Sequence, residues 1–178
     1  MDISRTFAMA NMNTFDIQPI RLFVERYLDK SKISIDPFSR NKRWATHTND
    51  LNPNTKAQHH LKAKDFLTEL VAQEVKADLV IFDPPYSMEQ CKRCYESYGY
   101  KFTHEDSLYV VRWTKEKDIV DQLLSLNGVF LHFGWHSNGM GKKRNFKIEE
   151  ILLVSHGGAK NDTICTAERK ISEQLKLW

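Results

Sequence analysis

The stretch that most constrains this chain is Leu79-Val80-Ile81-Phe82-Asp83-Pro84-Pro85-Tyr86. Its apolar half has the length and the Val, Ile and Phe content of a strand buried on both faces, as in a parallel sheet covered by helices. Asp83 then falls at the strand's carboxyl end, where open α/β sheets build their ligand crevices. Two successive prolines fix φ and supply no N–H, so the chain leaves the sheet in a stiff, extended turn. Backbone carbonyls and the Asp83 carboxylate are left as acceptors, with Tyr86 as a flat platform beside them. Such a corner suits a planar group that carries an N–H₂, whose amine donates to Asp83 and a proline carbonyl while the ring stacks on Tyr86. An ordinary strand end with a Pro-Pro turn is the competing reading.

A chain of 178 residues suits one domain with a sizeable core. With 41% hydrophobic and 28% charged residues it reads as globular, not disordered. The net charge of only +3 implies no general polyanion-binding surface, so nucleic-acid contact must come from local basic clusters. Met1-Asp2-Ile3-Ser4-Arg5 does not read as a signal peptide, and no apolar run approaches membrane-spanning length. Three cysteines without a secretory signal suggest reduced thiols in a cytoplasm. Cys91-x-x-Cys94 lacks the second half of a zinc site, so two thiols on a helix are expected and no metal.

Residues 1–14 are polar and aperiodic and read as an arm with little structure of its own. Pro19 with Ile20, Phe23, Tyr27 and Leu28 predicts an amphipathic helix over 19–29. Residues 33–38 predict a short strand ending at Asp36-Pro37, and 45–50 a second ending at Asp50. Between them, Ser39-Arg40-Asn41-Lys42-Arg43-Trp44 leaves room for about two helical turns, so the helix there is stunted or absent. That loop has no glycine, and Asn41 is the best candidate for a left-handed residue. Asp50 and Asn52 read either as a clamp on ribose hydroxyls or as an Asx turn before the next helix. Residues 54–60 read as helical or turn-like, 61–67 as a third strand ending in Asp65, and 66–75 as a helix.

Beyond Tyr86, residues 87–99 predict a helix stopped by Gly99, with Lys92-Arg93 placed either to touch a nucleic-acid backbone or on a solvated face. A loop over 100–106 leads to apolar positions from Leu108 through Val111 to Leu124, marking one long helix or two broken ones. Residues 128–135 predict a fifth buried strand. The following loop carries Trp135, His136, Asn138, two glycines and the basic run Lys142-Lys143-Arg144. It is the strongest nucleic-acid signal in the chain: glycines for close backbone approach, lysines and arginine for phosphates, Trp135 for stacking a base. Residues 146–154 and 163–168, joined by a glycine-rich connection from His156 to Asp162, predict an antiparallel pair.

Taken together the chain resembles the small phage- and prophage-associated adenine-N6 DNA methyltransferases over about Phe15 to Glu168. The motifs are Ile17-Gln18-Pro19, Asp36-Pro37-Phe38-Ser39-Arg40-Asn41, Thr48-Asn49-Asp50-Leu51-Asn52-Pro53, Asp83-Pro84-Pro85-Tyr86, Gly134-Trp135-His136-Ser137-Asn138-Gly139-Met140-Gly141 and His156-Gly157-Gly158 with Asn161-Asp162-Thr163-Ile164-Cys165. The resemblance implies a Rossmann-like class I α/β fold: a mostly parallel seven-stranded sheet with a final antiparallel hairpin, in one domain over 15–178 without a target-recognition domain. It implies S-adenosylmethionine as cofactor, S-adenosylhomocysteine as product, and no metal. Asp83, Pro84, Pro85 and Tyr86 would be catalytic. Phe15, Ile17, Pro19, Asp36, Phe38, Ser39, Asn41, Asp50, Asn52, Asp65 and Phe66 would bind cofactor. Lys92, Arg93, Trp135, His136, Asn138, Lys142, Lys143 and Arg144 would bind DNA. The missing glycine loop departs from the wider superfamily. The expected setting is the cytoplasm of a phage's bacterial host, with a second copy or a specificity subunit as protein partner. The same chemistry on RNA adenine or guanine N2, or a non-catalytic decoy that keeps the fold, are the alternatives.

Overall fold

The computed structural model describes residues 1–109, 112–158 and 160–172. Val111 of the predicted helical stretch and Ala159 of the hairpin connection lie outside them. The strands are β1 (Asp2–Phe7), β2 (Ser34–Asp36), β3 (His47–Thr48), β4 (Ala77–Phe82), β5 (Leu124–Gly134), β6 (Phe146–Ser155) and β7 (Thr163–Lys170). The helices are α1 (Gln18–Leu28), α2 (Ala63–Ala72), α3 (Met88–Ser97), α4 (His104–Tyr109) and α5 (Thr114–Leu123). They build an α/β fold on one seven-stranded sheet of order β1-β6-β7-β5-β4-β2-β3. β7 runs antiparallel to β5 and β6, and the other neighbours are parallel.

Strand alternation sorts the core into two layers. Leu79 and Ile81 of β4, with Leu131 and Phe133 of β5, face α1 and meet Ile20, Phe23 and Val24. Val80, Phe82 and Phe130 face the other way, onto Phe66, Leu67 and Leu70 of α2 and Val120 and Leu123 of α5. From Leu79 to Phe82 β4 is apolar and buried, because both its faces are covered there, as its sequence predicts; Asp78 near its start is exposed. α1 buries one stripe at helical spacing and has Pro19 in its first turn, where a missing N–H costs nothing. α3 stops as expected: Gly99 adopts φ +78°, its N–H reaches the Glu96 carbonyl, and the Tyr100 N–H reaches that of Tyr95.

Three expectations fail. Residues 2–7, read as part of an arm, form an edge strand parallel to β6. Their sequence lacks a buried face, and five of the six residues are exposed, so periodicity gave no signal; pairing with β6 alone makes the strand. Residues 61–67 are not a strand. α2 begins at Ala63, and just before it a single parallel bridge joins Asn49 and His59. Ala63, Phe66, Leu67 and Leu70 recur at helical spacing and are buried, with Phe66, Leu67 and Leu70 clustered with Ile35, Val80 and Phe82 of the sheet. The stretch 108–126 resolves into α4, α5 and the start of β5, and α4 begins inside the stretch predicted as a loop.

Candidate active site

The carboxyl ends of β2, β3, β4 and β5 lie side by side, and the turns that leave them hold the candidate residues. Asp83 follows the last residue of β4. Its Oδ1 accepts a 2.6 Å hydrogen bond from the Tyr86 hydroxyl. Thr14 Oγ1 lies 3.5 Å from that hydroxyl. The Tyr86 ring meets Trp135, which follows β5, edge to face at 5.7 Å. The turn is anchored from behind. Ser87 caps α3 by accepting from the Gln90 N–H, and Gln90 Oε1 accepts from the Tyr86 N–H at 2.8 Å.

The turn therefore differs from the open corner inferred from sequence. Tyr86 is not a free platform: its hydroxyl is turned onto Asp83. A carboxylate has room for more than one donor, so Asp83 keeps capacity for an incoming amine. Burial raises the Asp83 carboxyl above the usual range, against hydrogen bonds from Tyr86 and Thr14 and the nearby Arg40 charge. Burial likewise lifts the Tyr86 phenol well above its ordinary value, and the Asp83 charge adds to it, so Tyr86 remains a donor.

The predicted cofactor residues are stitched largely to their own backbone. Asp36, 2% exposed, accepts from the Phe38 N–H at 2.9 Å. Burial lifts its carboxyl well above the usual range, and Asp83 and Asp50 push it further, against the Phe38 hydrogen bond. Phe38 packs edge to face on Phe82 and Trp113, at 5.1 and 5.3 Å. Ser39 donates through both N–H and hydroxyl to the Asn49 carbonyl. Asp50 accepts from the N–H groups of Arg40 (3.0 Å) and Asn52 (2.8 Å), and Asn52 accepts from Asn54. The Asx-turn geometry is thus present, and it leaves acceptor capacity on Asp50 for a hydroxyl. Asn41 accepts from the Lys56 N–H, but the left-handed residue of this loop is Arg40, at φ +49°. The Asp50 carboxylate holds the Arg40 N–H in that conformation.

Three other predicted cofactor residues sit in the core. Phe15 and Ile17 pack in the α1-side layer, with Phe15 edge to face on Phe133 at 5.2 Å. Phe66 is wholly buried, 5.3 Å from the His59 ring. Their apolar rings and chains fill the layers beneath the crevice, where packing claims them first. Asp65 is exposed in the first turn of α2. Pro19 and Ile17 line a cavity of about 550 Å³ between residues 6–11 and the start of α1. A second, of about 410 Å³, lies between α3 and residues 102–107. Neither is lined by Asp83, Asp36 or Asp50.

On the loop after β5, Trp135 is 40% exposed beside Tyr86. His136 stacks on the buried His132 at 5.5 Å, and Asn138 accepts the Lys117 ammonium on its carbonyl at 2.6 Å. Lys142 and Lys143 lie in a short 3-10 turn with Arg144, and the Lys142 side chain lies outside the described residues. Arg144 is part-buried and engaged by the protein itself. Its Nε and Nη2 contact Asp118 at 2.8 and 2.7 Å, and its Nη1 donates to the Met140 carbonyl. Lys92 and Arg93 are exposed and pair with Glu96 and Glu89 one turn away. Such pairs are weak and leave both able to meet another anion.

The glycines of this loop serve the protein itself. A Cβ on Gly139 would collide with Glu168 Oε1. The buried Glu168 carboxylate accepts from the N–H groups of Met140 and Gly141, both at 3.0 Å. Burial raises its carboxyl and lowers the Lys117 ammonium to about 8. Sequence reasoning missed this Glu168–Lys117 support, as it missed Thr14 and Arg40. A glutamate facing inward on a strand, in hydrogen-bond contact with a glycine loop that lies 27 or 28 residues away in sequence, carries no local signal. The Ser87-x-x-Gln90 spacing of a capping motif was visible.

No protein-family model matches the chain, and no curated protein matches its sequence. Solved structures do match. The fold is similar to TrmN from Thermus thermophilus (TM-score 0.56, 13% identity, 87% of this chain and 49% of that one). It is also similar to the N-methyltransferase NodS from Bradyrhizobium japonicum WM9 in complex with S-adenosyl-L-homocysteine (TM-score 0.54, 12% identity, 91% and 90%). NSun6 from Pyrococcus horikoshii gives a TM-score of 0.54 at 13% identity over 83% and 50%. The chain spans about half the length of TrmN and NSun6. The architecture is thus the Rossmann-like class I methyltransferase fold, whose solved examples include S-adenosylhomocysteine complexes. Among the described residues, no helix is long and apolar enough to cross a membrane, and no group of three or more His, Cys, Asp or Glu side chains is placed to hold a metal ion.

Proposed function

We propose that this chain transfers a methyl group from S-adenosylmethionine to the exocyclic N6 amine of adenine in DNA, inside a bacterial cell that hosts a phage or prophage. The observation that carries the reading is Asp83 at the carboxyl end of β4, in an Asp-Pro-Pro-Tyr turn with Tyr86 and Trp135 beside it, within a methyltransferase fold. Adenine, DNA and the phage setting rest on the motif resemblance.

The donor set fits the cofactor. Asp50 and Asn52 follow β3, next to β2 and its Asp36, so acceptors for hydroxyls and an amine line one end of the sheet. Asp65, exposed at the start of α2, adds a further acceptor. S-adenosylmethionine, when bound, supplies an activated methyl group and needs no metal. The chain's own work is to bind and orient the base. An adenine amine is a poor nucleophile because its lone pair is delocalised into the ring. Asp83 and the Pro84 carbonyl, by accepting its N–H bonds, favour a pyramidal amine with its lone pair free to attack. A base in a duplex must first leave the stack, at about a few kcal/mol, and contact with Tyr86 and Trp135 offsets part of that cost. Exposed Lys92 and Arg93, with Lys143, His136 and Asn138 on the loop after β5, would contact the strand around it.

The test is to incubate the protein with isotopically labelled S-adenosylmethionine and DNA or RNA, then digest to nucleosides for mass spectrometry. Labelled N6-methyldeoxyadenosine is the expected product. Label on RNA adenosine or on guanine N2 would transfer the chemistry to another amine. No transfer despite cofactor binding would identify a decoy.

A further inference from the structure

We infer that Arg40 is the anion grip of the cofactor crevice, taking the carboxylate at the amino-acid end of S-adenosylmethionine in a loop that has no glycine. The inference rests on the methyltransferase reading and goes beyond it in assigning a residue to one end of the ligand.

Two independent observations lead to Arg40. The first is its backbone. Arg40 sits at φ +49°, in the turn that follows β2, where a non-glycine residue costs about 1 kcal/mol or more. Glycine would take this conformation without strain, so the arginine side chain stands here at a local cost. The Asp50 carboxylate accepts its N–H at 3.0 Å and fixes the conformation.

The second is its guanidinium. Nη1 donates to the Met12 carbonyl at 2.7 Å and to Asn13 Oδ1 at 2.9 Å, both neutral acceptors. Among the described residues no carboxylate pairs with it, whereas its neighbour Lys42 is paired with Asp16 at 2.9 Å and lies over the Trp44 ring. Pinned through Nη1, the group keeps its Nε–Nη2 edge without a hydrogen bond to any described residue. That edge carries two parallel N–H donors, the fork that matches a carboxylate. The segment 12–13 thus holds the guanidinium through Nη1, and Thr14 continues from it to the Tyr86 hydroxyl on Asp83. The grip and the catalytic turn are joined by three consecutive residues.

The test compares two ligands by calorimetry. S-adenosylhomocysteine carries the amino-acid carboxylate, and 5′-methylthioadenosine keeps the nucleoside and the sulfur but lacks it. The variants are Arg40→Gly, which relaxes the backbone and so folds, and Arg40→Lys, which keeps the charge without the fork. Arg40→Gly should weaken S-adenosylhomocysteine binding about tenfold or more and change methylthioadenosine binding by less than about twofold, with Arg40→Lys between. Equal losses for both ligands, or none, would overturn the grip. Unchanged S-adenosylhomocysteine affinity with weakened DNA binding would reassign the fork to a phosphate. If the wild-type protein binds neither ligand, the methyltransferase reading fails and the grip with it. If it binds both and Arg40→Gly has no effect, only the grip fails.

Discussion

The turn after β4 and the loops after β2 and β3 share one end of the sheet, yet they use their acids differently. Asp83 is bonded to a side chain, the Tyr86 hydroxyl, which can be exchanged for a ligand amine by a rotation. Asp36 and Asp50 are bonded to backbone N–H groups of Phe38, Arg40 and Asn52, which belong to the turns themselves. A strand-end acid whose partner is a side chain is available for chemistry. One whose partners are backbone donors also holds the loop in shape. Removing the side-chain acceptor at the first should cost activity and spare stability, and removing it at the second should cost both.

The largest effect is expected at Asp83. Asp83→Ala should lower methyl transfer by about 10²-fold or more while thermal stability and S-adenosylhomocysteine affinity hold. Full activity in a transfer assay would end the catalytic assignment. Asp50→Ala should behave oppositely, unpairing two backbone donors and lowering unfolding free energy by about 1–3 kcal/mol in urea titration, with weaker cofactor binding alongside. A variant as stable as the wild type would show that the Asx turn holds nothing. Trp135→Ala should weaken nucleic-acid binding about tenfold, as loss of one stacked base, without changing cofactor affinity. Equal affinity for DNA would remove Trp135 from the interface.

The smallest effect depends on pH. The folded protein holds the Asp36 proton more tightly than the unfolded chain, because burial, Asp83 and Asp50 all disfavour the charge. The stability this provides is complete below the ordinary value of 3.8 and is lost as pH rises through the raised folded value. Asn at this position can still accept from the Phe38 N–H and never ionises. Asp36→Asn should therefore match the wild type near about pH 4 and exceed it by about 1 kcal/mol near about pH 8. A gain that is the same at both values would mean that ionisation is not its source.

Much of the fold was legible. The stripe of α1, the double-sided burial of β4, the stop at Gly99 and the closing β6–β7 pair each follow from periodicity or from a residue with one permitted geometry. The failures have a common cause. β1 has no buried face, so only the neighbouring edge of β6 makes it a strand. Residues 61–67 were read from a strand-end acid, although the apolar stripe of α2 had the stronger claim. Candidate residues divide likewise. The sequence brought Asp83, Tyr86 and Trp135 into view, and the fold sets Tyr86 between the other two. Phe15, Ile17 and Phe66, read as ligand contacts, also fill the core, and Arg144, read as a phosphate ligand, also pairs with Asp118. An apolar or basic side chain suits either role, and only its neighbours choose.

The sequence alone determined what depends on neighbours in the chain: a buried strand ending in an acid, a proline turn that cannot rejoin the sheet, and helices with one apolar face. Tertiary structure decided what depends on partners far along it. It turned the Tyr86 hydroxyl onto Asp83 under Thr14, seated Gly139 on Glu168, and set Arg40 with one nitrogen on the segment from Met12 to Asn13 and its fork open. The physical reason is that side-chain hydrogen bonds and close approaches are set by distance in space, which local propensity does not encode.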